Sequence, residues 1–237
     1  DLHLVASNQA KERVIKLGEN PDTVFNTGCP SIDLANQINT SPKLDFNPIE
    51  KYGGVGEQIN WQDGYLVVMQ HPVTTEYESA RKDVEETLHA VYELNIPTFW
   101  FWPNVDAGSD GTSNGIRSFR ERIKPKNIHF FKNMEPNDFL RLLINSKCLI
   151  GNSSVGIREC SFLGVPVVNI GTRQSKRQRG KNVIDVDYNK EEIKQAVLLN
   201  SNKEFKSETI YGKGDSGEKI ANILATEVLN FHKTTTY

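Results

Sequence analysis

Short apolar runs that end in small or polar residues, each followed by a helical stretch, recur along the whole chain, and this alternation leaves few architectures open. Tyr65-Leu-Val-Val-Met-Gln70 is the clearest of them. Its apolar side chains are unbroken, which is the pattern of a strand buried on both faces of a parallel sheet. Leu2 to Ser7, Val24-Phe25, Pro97 to Trp102, Ile128 to Phe131, Cys148 to Ile150, Val165 to Ile170 and Asn182 to Val186 repeat it more briefly. Helical stretches lie between them, at Ser7 to Leu17, Pro30 to Ile38, Tyr77 to Leu94, Asn114 to Ile123, Met134 to Asn145 and Lys190 to Asn200, with a terminal helix over 218–231. Phe139, Leu142 and Leu143 fall on one stripe of their helix. Each connection is long enough for a crossover, so the expected fold is α/β: a Rossmann-like three-layer domain over 1–237, with a mostly parallel sheet covered on both faces.

Polar residues gather where the predicted strands end. Gly151-Asn-Ser-Ser-Val-Gly-Ile-Arg-Glu159 reads as a tight turn into a helix opening near Ser154. Free backbone N–H groups at such a helix start, with the hydroxyls of Ser153 and Ser154, suit an anion. Glu159, one to two turns further in, can accept hydrogen bonds from a neutral diol such as a ribose, and an anion beside a diol describes a nucleotide. An ordinary N-cap followed by a surface glutamate has the same spacing. His71, fixed by Pro72, ends the Tyr65–Gln70 strand and can donate to a phosphate or exchange a proton with a leaving group. Thr27-Gly28 and Asn104 to Ser109 end two more strands, and Arg173 can meet a diphosphate bidentately. In open α/β sheets ligands bind at this end of the strands. Gly151-Asn-Ser-Ser lacks the nucleophile-elbow pattern, and no acid and base support a serine nucleophile.

Residues 39–63 carry Pro42, Pro48, Gly53-Gly54 and Gly56 with little periodicity, and read as a long connection over the surface. So long a loop is costly unless it lines a site or a partner surface. Tyr52-Gly-Gly-Val-Gly56 neither follows a clear strand nor opens a helix, so it is a poor dinucleotide fingerprint. The formal net charge of −2 argues against broad nucleic-acid binding. No metal-ligand spacing is present, and the odd count of three cysteines argues against a disulfide scaffold and for buried thiols. With no long apolar run and no signal peptide at its start, the chain is expected to be reduced and cytoplasmic, without a membrane span. Asp1 is not a natural start, so a fragment of a longer chain is the expectation.

Five motifs in order, His71-Pro-Val-Thr-Thr-Glu76, Pro103-Asn-Val-Asp-Ala-Gly108, Gly151 to Glu159, Gly164-Val-Pro-Val-Val-Asn-Ile-Gly-Thr-Arg-Gln174 and Tyr211-Gly-Lys-Gly-Asp-Ser-Gly217, resemble those of the hydrolysing UDP-N-acetylglucosamine 2-epimerases. The resemblance covers nearly the whole chain and implies the C-terminal, nucleotide-binding half of a glycosyltransferase-B-like fold. It implies elimination of UDP from the sugar nucleotide and addition of water to give N-acetylmannosamine, without a cofactor or metal. On it, His71 corresponds to the catalytic histidine near the diphosphate and glycosidic oxygen. Asn104 and Phe139 correspond to nucleotide-pocket residues, Ser153 and Ser154 to diphosphate ligands, Glu159 to the ribose ligand, and Arg173 to a further contact. The implied partners are UDP or a UDP-sugar and an N-terminal domain with no counterpart here, which would supply the base at C2. A homo-oligomer stays open. Glycosyl transfer from a nucleotide sugar, or a non-catalytic nucleotide-sugar-binding module, are the competing readings of the same fold.

Overall fold

In the computed structural model, which describes residues 2–228, the strand–helix alternation divides between two sheets. The first is small. Strands β1 (His3–Val5) and β2 (Val24–Asn26) pair in parallel, with α1 (Asn8–Lys16) crossing between them. Ser7 caps α1 by accepting from the Ala10 amide at 3.2 Å, which satisfies one of the donors a helix start leaves free. The expectation of one sheet through the whole chain is therefore corrected at its beginning. These strands are three residues long and β1 is half-buried throughout, unlike the fully apolar strands that a two-sided core requires.

Helix α2 (Pro30–Asn39) follows, with proline in its first turn and Ile32, Ala35 and Ile38 buried, as the fixed φ of proline favours. The 39–63 stretch is not a bare connection. It holds α3 (Pro48–Tyr52), capped by the Asn47 side chain, and the two-residue β3 (Val55–Gly56). Neither element is long enough to print a period on the sequence. Ile49 and Ile59 of this stretch are nevertheless buried.

The main body then alternates β4 (Leu66–Met69), α4 (Ala80–Leu94), β5 (Thr98–Phe101), α5 (Ser109–Ile123), β6 (Ile128–Phe131), α6 (Pro136–Ile144) and β7 (Cys148–Gly151). Two short helices come next, α7 (Ser154–Ile157) and α8 (Glu159–Leu163), then β8 (Val167–Ile170), β9 (Val183–Val186), α9 (Lys190–Asn200) and α10 (Ser216–Thr226). Helix α10 starts before the expected Glu218 and ends at Thr226; 229–231 of the expected helix lie outside the described residues. The strands order as β3-β6-β5-β4-β7-β8-β9, and all pairs are parallel except β3 with β6. From β4 the chain builds outward through β5 and β6, then returns to add β7, β8 and β9 on the other flank. The order thus reverses between β4 and β7.

The period-2 alternation of strand side chains feeds two cores. Val68, Trp100, Ile150 and Val168 pack with Val84, Leu88, Ile116, Phe119, Ile193 and Val197 of α4, α5 and α9. Val67, Phe99, Leu149 and Val167 pack on the opposite face with Leu140, Leu142 and Leu143 of α6 and with Ile49 and Ile59. Strands β4 to β8 are buried on both sides, which is why the sequence shows runs rather than alternation there. Cys29, Cys148 and Cys160 are all free and buried.

Candidate functional site

A strand order that reverses leaves a crevice beyond the carboxyl ends of the two strands at the reversal. Met69 at the end of β4 pairs with Gly151 at the end of β7, so the residues that follow each strand meet. Gly151 takes φ +128°, and a Cβ there would run into the Met69 carbonyl. Only glycine lets β7 finish that close to its neighbour. Asn152, fully buried, then turns its amide across the crevice: the His71 N–H donates to Asn152 Oδ1 at 2.7 Å, and Asn152 Nδ2 donates to the His71 carbonyl at 2.8 Å. The Asn152 carbonyl accepts from Gln174 Nε2 at 2.8 Å and from Arg173 at 3.4 Å. One asparagine therefore ties together the ends of three motifs.

His71 is buried, and its Nδ1 accepts the backbone N–H of Asn104 at 3.1 Å. That bond places the proton of the neutral ring on Nε2. Burial pushes the pKa of His71 down to about 4, with the nearby Arg173 charge acting in the same direction and Asp106 opposing it. Arg173 in turn pairs with Asp106 at 3.5 Å. At neutral pH the arrangement is an uncharged imidazole with a free N–H beside a guanidinium. The loop 72–76, Asp106 and Arg173 line an open cleft of about 400 Å³.

On the other side of Asn152, Ser153 caps α7 by accepting from the Val155 amide at 3.4 Å. Helix α7 stops after four residues, because Arg158 takes φ −100° and ψ −73° before α8 begins at Glu159. The expectation of one continuous helix with Glu159 inside it is corrected here, and so short a helix sums few peptide dipoles. The polar side chains carry the site instead. Ser154 Oγ accepts from Arg158 at 2.9 Å, and Arg158 reaches the Cys29 thiol at 3.6 Å. Glu159 is buried rather than on the surface; its Oε2 lies 3.6 Å from Arg158 Nε and has no hydrogen-bond partner. Burial raises its pKa, while Arg158, the local backbone N–H and Ser31 pull the other way.

The structure thus joins His71, Asn104, Ser153, Ser154, Glu159 and Arg173 through Asn152 or through adjacent positions on the α7–α8 turn. Asn104 takes part by its backbone N–H, with an exposed side chain. Phe139 stands outside this network: it is half-buried, and its ring meets Phe101 edge-on at 5.1 Å. Gly28 packs against the 211–216 loop, where a Cβ would meet Ser216 Oγ and the Gly212 Cα. Sequence reasoning assigned no role to Asn152, Gln174, Asp106 or Arg158. A polar residue between a strand-terminal glycine and a helix cap is the signal that singles out Asn152. Nothing local marks the other three.

The family model described as UDP-N-acetylglucosamine 2-epimerase matches residues 1–225. The chain belongs to this family. Among curated relatives it is 31% identical over 225 residues to the UDP-N,N'-diacetylbacillosamine 2-epimerase (hydrolyzing) of Legionella pneumophila, covering 94% of this chain and 57% of that protein. It is 33% identical over 206 residues to polysialic acid biosynthesis protein P7 of Escherichia coli, covering 86% of this chain and 50% of that one. The chain therefore spans about half the length of these curated relatives. A solved structure of the Methanocaldococcus jannaschii UDP-GlcNAc 2-epimerase in complex with UDP-GlcNAc and UDP superposes with a TM-score of 0.71 at 18% identity, over 95% of this chain and 61% of that one. At that identity the likeness is one of fold, and it supports the Rossmann-like architecture. Among the described residues no group of three His, Cys, Asp or Glu side chains that could hold a metal ion is gathered, and no helix is long and apolar enough to cross a membrane.

Proposed function

We propose that this chain is the UDP-binding half of a hydrolysing UDP-N-acetylglucosamine 2-epimerase, acting with a further domain that closes over the sugar. The observation that carries the reading is the meeting of His71 and the Asn152–Ser153 turn at the strand-order reversal, with Arg173 beside them. The diphosphate lies against Ser153, Ser154 and Arg173, the ribose hydroxyls meet the Glu159 oxygen that has no hydrogen bond, and the base rests toward Asn104 and Phe139.

Elimination across C1 and C2 of the sugar needs a base at C2 and stabilisation of the departing diphosphate. This chain supplies the second. A neutral His71 keeps an Nε2–H to donate to the glycosidic or phosphate oxygen as negative charge grows there. The Arg173 guanidinium, already oriented by Asp106 and the Asn152 carbonyl, neutralises the diphosphate. Water then adds to the unsaturated sugar to give N-acetylmannosamine and free UDP. The C2 base comes from the further domain, as does the pocket around C4 and C6 that selects the sugar.

The test of this division of labour is turnover. The chain incubated with UDP-N-acetylglucosamine and followed by NMR is expected to release no N-acetylmannosamine, and to do so once the remaining part of such an epimerase is supplied. Robust release by the chain alone overturns the division, and transfer of the sugar to an added acceptor would point to a glycosyltransferase.

A further inference from the structure

The strap formed by 52–57, which the nucleotide site does not use, walls a second cleft of about 400 Å³ at the β6 edge of the sheet. Its floor is aromatic, with the rings of Tyr52, Trp102 and Phe130, and its rim carries Arg117, Arg120 and Lys132. Arg117 lies 5.8 Å from the Trp102 ring centre and Arg120 5.9 Å from that of Phe130. No acidic side chain lines the cleft. Among the described residues none of these cations has an ion pair, whereas Arg141, Arg158, Arg173 and Arg179 are all paired. The walls are held independently of any occupant. Tyr52 donates its hydroxyl to Asp138 at 2.5 Å, and the ring nitrogens of His129 lie 3.0 Å from the Glu57 carbonyl and 2.9 Å from that of Gly53.

We propose that this cleft is a second ligand site, for a small molecule that combines a flat purine-sized ring with a single phosphate or carboxylate group, a class that excludes UDP. Converging cations without a counter-charge attract an anion, and guanidinium forks grip its oxygens bidentately. Aromatic walls bury the flat face, with guanidinium–ring contacts keeping the forks oriented. The volume suits a metabolite and falls within the usual range of small-molecule pockets. The site is distinct from that of UDP: none of its lining residues lines the His71–Arg173 cleft or is assigned to the nucleotide.

Adenosine monophosphate is the probe, titrated into the whole chain by calorimetry with saturating UDP present. Saturable binding is expected, at least tenfold tighter than that of uncharged adenosine, weakened at least tenfold in R117Q/R120Q and severalfold in K132Q. Arg117 and Lys132 are exposed and Arg120 is half-buried, and UDP affinity and the circular dichroism spectrum of each variant are expected to stay at wild-type values. Adenosine binding as tightly as the monophosphate, affinity unchanged in both variants, or displacement of the monophosphate by UDP would each overturn the proposal. Absence of saturable monophosphate binding at millimolar concentration does so as well.

Discussion

The two flanks of Asn152 are built on opposite terms. Toward His71 the polar groups are paired: the asparagine amide closes two bonds to the His71 backbone, the imidazole Nδ1 has the Asn104 N–H, and Arg173 and Gln174 converge on one carbonyl. Toward Glu159 they are left over, with Glu159 Oε2 and Arg158 Nε both buried without a hydrogen-bond partner. A satisfied buried network holds position and contributes stability, whereas an unsatisfied one costs stability and gains when a ligand arrives. On the proposed function, the first flank fixes geometry for chemistry and the second keeps its capacity for binding.

The largest expected effect is that of Asn152→Ala. It orphans the buried N–H and C=O of His71, at about 1–3 kcal/mol each, so chemical denaturation is expected to show a loss of about 3 kcal/mol together with loss of UDP binding. A fully stable variant would show that the paired flank is not what holds the crevice. The titration of His71 comes next. Its pKa is about 4 in the fold against an ordinary 6.5, so between those values the unfolded chain binds more protons. The histidine's contribution to stability is complete above pH 6.5 and is lost as pH falls through 4, by up to about 3 kcal/mol. NMR is expected to find the Nε2–H tautomer at neutral pH, and His71→Gln to flatten that part of the stability profile.

Glu159→Gln sharpens the contrast from the other flank. Removing a buried carboxylate oxygen that has no hydrogen bond, and whose 3.6 Å ion pair is with a partly exposed Arg158, is expected to change stability by less than about 1 kcal/mol, while the Kd for UDP rises about 30-fold, or ~2 kcal/mol. Loss of stability in step with affinity would dissolve the distinction between the flanks. The smallest effect belongs to Arg173→Lys. Its partly exposed pair with Asp106 is worth at most about 0.5 kcal/mol, so the melting temperature is expected to hold while UDP affinity falls about fivefold for want of a bidentate fork.

What the sequence disclosed follows the range of the forces involved. The strands of the main sheet were legible because burial on both faces leaves continuous apolar runs such as Leu66–Met69, and the site edge because each run ends in polar residues. The assignment of β1 and β2 to a separate sheet was hidden, since strand pairing is a tertiary matter that three-residue runs do not encode. Helix α3 and strand β3 were too short to register a period. The break at Arg158 was equally invisible, because no glycine or proline stands at it; its guanidinium contacts Cys29, Ser154 and Glu159. His71, Ser153 and Glu159 were singled out because their side chains are able to do chemistry. Asn152, which places them, works through backbone bonds across 81 residues of chain.

Calorimetric titration of the chain with UDP tests the central claim most directly. A single saturable site is predicted, weakened about 30-fold by Glu159→Gln and unaffected by R117Q/R120Q. No saturable heat at millimolar UDP, or binding indifferent to Glu159, would contradict it.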